Sequence, residues 1–255
     1  MTEARKTKAT PVAALAGNPN VGKSTIFNAL TGMRQHAGNW PGKTVALAQG
    51  VCMYKGEEIR LVDLPGTYAL VSKSQEETLA AGFISGGEAD CVIAVCDATS
   101  LERSLILALQ VMELTDRVIV CVNLMDEAQK QGIKIDLAAL SFELGVPVVA
   151  ASASREEGMG ELLEQLRRIL DGFEAPRPRR CGVVSDSIRE SHLGAEALRG
   201  ASGRASDEIA AQFVRRAEEI AKRVVRETRQ DAKTRTLRVD RLLTGRVTGL
   251  LLLAG

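Results

Sequence analysis

Gly17-Asn18-Pro19-Asn20-Val21-Gly22-Lys23-Ser24 decides the fold. Its spacing is G-x-x-x-x-G-K-[ST], the phosphate-binding loop pattern, which carries meaning only between a strand and a helix. Here both flanks are right: residues 12–16 are an apolar run that predicts a strand, and residues 23–31 predict a helix. The glycines let backbone N–H groups wrap a polyphosphate, and the helix N-terminus adds the positive end of its dipole. Lys23 is expected to reach the β- and γ-phosphates and Ser24 to bind Mg²⁺. Asn18, Asn20, Val21, Gly22 and Thr25 complete the expected phosphate contacts.

Outward from this loop, short apolar runs alternate with helical patterns. Residues 45–53 and 58–63 predict paired strands, joined by a turn over 54–57 that contains Gly56. Residues 91–97, 118–123 and 147–151 are three more apolar, β-rich runs. Helices are expected over 75–84, 101–114, 137–144 and 157–170. Such alternation predicts an α/β fold with a mostly parallel central sheet covered on both faces, with ligands at the carboxyl ends of its strands.

Further motifs fall at those strand ends. Asp63-Leu64-Pro65-Gly66 closes the run 58–63. Asp63 is expected to hold Mg²⁺ through water, and Gly66 to let a backbone N–H approach a γ-phosphate. Alone this tetrapeptide is a common turn; at a strand end behind a phosphate loop it is a strong signal. Asn123-Leu124-Met125-Asp126 ends the run 118–123. A carboxylate at Asp126 can accept from guanine N1–H and the N2 amino group. Adenine offers neither and would strand a desolvated acceptor, which is where the larger discrimination arises. Asn123 is expected to brace this loop, with Met125 beside the base. Ser152-Ala153-Ser154 follows the last strand, and the Ala153 N–H is a candidate partner for guanine O6. Thr44 lies 20 residues past Ser24, behind Gly38-Asn39-Trp40-Pro41-Gly42, and can complete a Mg²⁺ shell when GTP is bound. Trp40, the sole tryptophan, fits a packed loop anchor better than a catalytic group.

Charge divides the chain in two. Residues 1–176 hold 16 Lys/Arg against 22 Asp/Glu, a net of −6, and residues 177–241 hold 16 against 10, a net of +6. A solvated, arginine-rich helix face and a surface turned toward something anionic explain this equally well. Residues 173–182 carry Pro176, Pro178 and three arginines and are expected to link a domain at 1–172 to a small helical domain at 183–236. Helices are expected at 185–198 and 206–229. In the longer one Ile209, Phe213, Ile220 and Val224 share a face, and no strand is expected in this module. Residues 242–254 are apolar but too short to span a bilayer, either an amphipathic end or the start of a membrane segment. The five cysteines form no CxxC pair; Cys91, Cys96 and Cys121 fit buried hydrophobes in a reducing cytoplasm. The first 11 residues do not resemble a signal peptide. His36 and His192 are isolated, and no iron site is expected.

In this order, the motifs resemble those of small GTPases of the translation-factor class over about residues 10–172. Gly38–Gly42 with Thr44, Gly17–Ser24 and Asp63-Leu64-Pro65-Gly66-Thr67-Tyr68 narrow the resemblance to the N-terminal G domain of the ferrous iron transport protein B family. In that family a helical domain and then a polytopic permease follow, and Arg238-Val239-Asp240-Arg241-Leu242-Leu243 resembles the entry to the membrane region, here residues 237–255. Lys43 departs from the apolar residue expected there. The resemblance implies a GTPase using GTP/GDP and Mg²⁺, on the cytoplasmic face of the bacterial inner membrane. Its partners are the permease part of the same native chain and an anionic membrane surface; a homo-oligomer is left open and no nucleic acid is expected. Thr67 replaces the glutamine that Ras-like proteins use to orient water, so intrinsic turnover is expected to be slow. Asn20 corresponds to an asparagine that helps hold K⁺ in potassium-activated relatives, where the cation acts like an arginine finger. Lys23, Thr44, Gly66 and Asn20 are thus the expected catalytic set. The alternatives are a soluble RNA-linked GTPase, disfavoured because 183–240 shows no GXXG motif, and a GTP-gated switch with little turnover.

Overall fold

A computed structural model describes residues 10–32, 35–39, 46–70, 74–174, 176–200 and 204–227. Thr44, Trp40 and Lys43, Ala175 within the expected linker, and the segment 237–255 with its Arg238–Leu243 motif lie outside them.

Seven of the described strands form one sheet. Its centre is parallel: β1 (Val12–Gly17) lies between β4 (Glu57–Asp63) and β5 (Cys91–Asp97), followed by β6 (Val118–Asn123) and β8 (Val148–Ala150). On the other side, β3 (Ala46–Tyr54) runs antiparallel to β4, and β2 (Gln35–Asn39) antiparallel to β3. The six residues of β6 and the first six of β5 are all buried, as strands covered on both faces must be. Alternate residues feed two cores. Ala14, Ala94, Cys96 and Val120 pack with α2 (Gln75–Ser85), α3 (Leu101–Leu114) and α5 (Leu137–Leu144). Leu15, Ile93, Val95 and Cys121 pack with α1 (Lys23–Thr31) and α6 (Met159–Leu170). The period-2 alternation of side chains sets this division.

The element boundaries differ from the sequence expectations mostly by one or two residues, the usual spread at frayed ends. Beyond the short elements at Met125–Lys130 and Ile133–Ile135, which are not expected from the sequence, three differences are larger. Gln35–Asn39 pairs as an edge strand although it lacks an apolar alternation; backbone ladder bonds do not require one. The stretch expected as one helix over 185–198 is two, α7 (Asp186–Glu190) and α8 (Gly194–Gly200), with His192 between them at φ 61°. The second module also contributes a strand, contrary to expectation. β9 (Val225–Glu227), at the end of α9 (Arg204–Val224), pairs antiparallel with β7 (Ile133–Ile135), and Asp136 N–H donates to Val224 O at 2.9 Å. Three residues are too few to show a period, so only the partner strand reveals this pairing.

α9 packs its apolar stripe on the main body. Phe213, Ala217, Ile220 and Val224 are fully buried in the same core as Leu105, Ala108 and Met112 of α3. Glu143 of α5 accepts from Arg216 at 3.0 Å and from Arg223 at 2.8 Å, adding an ionic seam beside that contact.

Candidate nucleotide site

The loop after β1 is shaped by its backbone. Asn20 and Gly22 take left-handed conformations, φ 66° and 80°. Asparagine tolerates this region better than most residues, so a turn role accounts for Asn20 without any ligand. A Cβ at Gly22 would collide with the Asn123 amide. Gly22 is also the N-cap of α1, with no side-chain cap and no acidic residue in the first turn. No residue of α1 itself therefore offsets its positive end, which suits an anion-binding helix start.

The groups expected at Mg²⁺ converge. Lys23, only 8% exposed, forms an ion pair with Asp63, and Ser24 Oγ donates to the other Asp63 oxygen at 3.2 Å. Asp63 stands at the carboxyl end of β4, beside the loop because β4 and β1 are hydrogen-bonded neighbours. The chain after it is pinned: Leu64 N–H donates to Leu15 O at 3.0 Å and Thr67 N–H to Gly17 O at 3.3 Å. Gly66 lies so close that a Cβ would sit 3.4 Å from the Pro19 backbone. Lysine, hydroxyl and carboxylate at one point fit a polyphosphate with a hard divalent cation. Asn18 is buried with its Oδ1 unpaired among the described residues, a polar vacancy of the kind that sites for charged ligands leave.

Asn123 ties three motifs together. Buried at the end of β6, its Nδ2 donates to Val21 O at 2.9 Å and its Oδ1 accepts from Ala153 N–H at 3.0 Å. The N–H expected at guanine O6 is thus donated to Asn123 in this structure. Leu124 at φ 62° turns the chain into α4 (Met125–Lys130), placing Asp126 in its first turn; Met125 N–H meets Ala151 O at 3.2 Å. Asp126 Oδ2 lies 3.4 Å from Arg155 and 3.7 Å from Lys130. Arg155 was not singled out from sequence; its adjacency to Ser152–Ser154 was the available signal. Ser152 and Ala153 are buried, while Thr25 is exposed on α1. Thr44 is the one expected site residue outside the described set. Among those residues no cluster of three or more His, Cys, Asp or Glu side chains could hold a metal ion.

A phosphate loop at β1–α1, an acidic strand end at β4 and a braced Asn-x-x-Asp loop after β6, on a mostly parallel sheet, define a nucleotide-binding protein of the P-loop GTPase fold. The family model for ferrous iron transport protein B matches residues 11–166, and the chain belongs to that family, as its N-terminal G domain. It is 44% identical over 165 residues to the Fe(2+) transporter FeoB of Escherichia coli K12, an alignment covering 63% of this chain and 21% of that protein. The corresponding protein of Salmonella choleraesuis is 41% identical over 191 residues, 69% of this chain and 24% of its own length. The chain therefore spans about a fifth to a quarter of the curated relatives it matches. Among solved structures, the cytosolic domain of T. maritima FeoB in GDP form II superposes with a TM-score of 0.73 at 32% identity, covering 85% of this chain and all of that one (100%). The cytosolic domain of L. pneumophila FeoB gives the same TM-score, 0.73, the same identity, 32%, and the same coverage, 85% and 100%.

Proposed function

We propose that this chain binds GTP and GDP with Mg²⁺, hydrolyses GTP to GDP and phosphate, and serves as the cytoplasmic nucleotide-driven part of a ferrous iron transporter. The observation that carries this is the meeting of Lys23, Ser24 and Asp63 at the mouth of the Gly17–Ser24 loop. Family membership supports the transport role.

In this account the loop N–H groups and the positive end of α1 hold the β-phosphate, and Lys23 places its ammonium against the β- and γ-phosphates. Ser24, Asp63 and Thr44 would hold Mg²⁺, which when bound neutralises charge that builds on the transferring phosphoryl group. The Gly66 N–H stabilises the γ-phosphate from the opposite side, where preorganised donors act most strongly. Asp126 reads guanine; Asn123 fixes its loop to the phosphate loop; Met125 and Ser152–Ser154 wall the base. Thr67 is buried with its N–H on Gly17, so it offers no side chain equivalent to a water-orienting glutamine. Asn20 is exposed in the loop and would help hold K⁺ there. Residues 183–236 would make up the helical domain, with 237–255 leading toward the membrane part and its anionic surface.

Phosphate release from GTP and ATP, in KCl and in NaCl, tests this. GTP alone should turn over, faster in KCl, with Asn20→Ala removing the salt difference and Lys23→Ala abolishing turnover. Equal rates for GTP and ATP would remove the guanine assignment; equal rates in the two salts would return Asn20 to a turn role.

A further inference from the structure

Beside Ser104, α3 carries two buried polar side chains one turn apart, Gln110 and Glu113, among Leu107, Ala108, Leu109, Val111 and Met112. Both accept from backbone N–H groups, and from two different segments. Gln110, 1% exposed, accepts through Oε1 from Leu70 N–H at 2.6 Å. Glu113, 0% exposed, accepts from four consecutive backbone amides: Cys181 at 2.7 Å, Gly182 at 3.1 Å, Val183 at 3.1 Å and Val184 at 3.0 Å. Just before them, Arg180 donates from Nε to Met112 O at 2.6 Å and from a terminal nitrogen to Thr115 O at 3.3 Å. The backbone N–H groups of residues 181–184, the entry to the helical module, are therefore held by Glu113 of α3, while Arg180 also pairs with Asp116 and Gln212 of α9 donates to Cys181 O at 3.0 Å.

Leu70 is the far end of the Asp63–Leu70 segment. Leu64 and Thr67 are bonded to β1 and Leu70 to Gln110, so the segment carrying Gly66 is held along its length. A displacement at Gly66 that breaks the weaker Thr67 bond must be absorbed within a few residues or passed to α3. A buried carboxylate cannot release four amides without stranding them, and a packed helix moves as a body rather than bending at one side chain.

We infer that Gln110 and Glu113 are positioning residues that join the γ-phosphate-sensing loop to the entry of the helical module through α3. This rests on the nucleotide-site assignment above. It assigns Gln110 the Leu70 end of the loop and Glu113 the 181–184 end, with α3 as the rigid body between.

Hydrogen exchange of the peptide spanning 181–184, on the 255-residue chain loaded with GDP or with a non-hydrolysable GTP analogue, tests it. Protection of these amides should differ between the two nucleotides by about tenfold or more in the wild type, local opening being measurable far below global unfolding. Gln110→Met keeps the volume and removes the acceptor; it should erase that difference while leaving both states bound. Glu113→Gln, which keeps one acceptor oxygen, should speed exchange at 181–184 in both states. If Glu113→Gln fails to fold, the Gln110→Met comparison decides. Identical protection in both nucleotide states, or a difference that survives Gln110→Met, overturns the inference. Calorimetry run alongside separates this from failure of the site assignment, which would appear as no guanine-nucleotide binding at all.

Discussion

Replacing Gly22 by alanine should be far more damaging than replacing Gly32, although both are left-handed glycines at the two ends of α1. Gly22 lies at φ 80° and Gly32 at φ 61°. An L-residue in this region costs about 1–2 kcal/mol, and both variants carry that term. Gly32→Ala carries little else, because no described atom lies within 4 Å of its new methyl. At Gly22 the methyl collides with Asn123 Nδ2 and must displace a buried amide that bonds Val21 O at 2.9 Å and Ala153 N–H at 3.0 Å. Two buried bonds at about 1 kcal/mol each, with partners left unpaired, add roughly 2–4 kcal/mol. Urea unfolding, two-state with an unchanged slope, should give about 1–2 kcal/mol for Gly32→Ala and roughly 3–6 kcal/mol for Gly22→Ala. Losses within about 0.5 kcal/mol of each other would refute the reasoning, since Asn123 would then not be the joint between phosphate loop and base loop.

Two further outcomes follow from charge and burial. Arg223, then Arg216, hold the Glu143 carboxylate below its ordinary range against an opposing effect of burial. The stabilisation is therefore complete above the unfolded glutamate value, about 4.3, and is lost as pH falls through the lower folded value. The stability gap between wild type and Glu143→Gln, measured by urea midpoint, should be widest near neutrality and close in acid; a constant gap would count against the seam. Burial pushes the Cys52 thiol up to about 11 and those of Cys91 and Cys121 up to about 12, with Cys96 raised further by the same cause. A thiol reagent at pH 8 should leave all four unlabelled until the chain unfolds, and rapid labelling of any of them in the native state would contradict the packing.

Much of the site was legible because phosphate loops need fixed residue types at fixed spacing. Gly17, Lys23, Ser24, Asp63 and Asn123 could be assigned from chain order alone, and the apolar runs of β5 and β6 placed them on a sheet. What escaped depended on partners distant in sequence. β9 is a strand only because Ile133–Ile135 lies beside it. Glu113 and Gln110 look like a polar interruption of an apolar helix until residues 181–184 and Leu70 are set against them. The 173–182 stretch, with its prolines and arginines, has the composition of a linker, yet Arg177 and Arg179 N–H groups donate to Gly145 and Leu144 carbonyls at 3.0 and 2.7 Å. Composition registers the missing period, not the backbone bonds that replace it.

Exchanging the base-reading carboxylate for its amide tests the central claim most directly. Asp126 accepts two N–H groups of guanine in this account; asparagine replaces one acceptor by a donor, which suits xanthine, whose C2 carries a carbonyl oxygen. Calorimetry with GDP, XDP and ADP in the presence of Mg²⁺ should show wild type binding GDP and discriminating against ADP and XDP. Asp126→Asn should lose at least about 2 kcal/mol for GDP and gain XDP, since a mispaired buried polar group carries that penalty. Equal affinity of the wild type for GDP and ADP, or unaltered GDP binding by Asp126→Asn, would contradict a guanine site at this position.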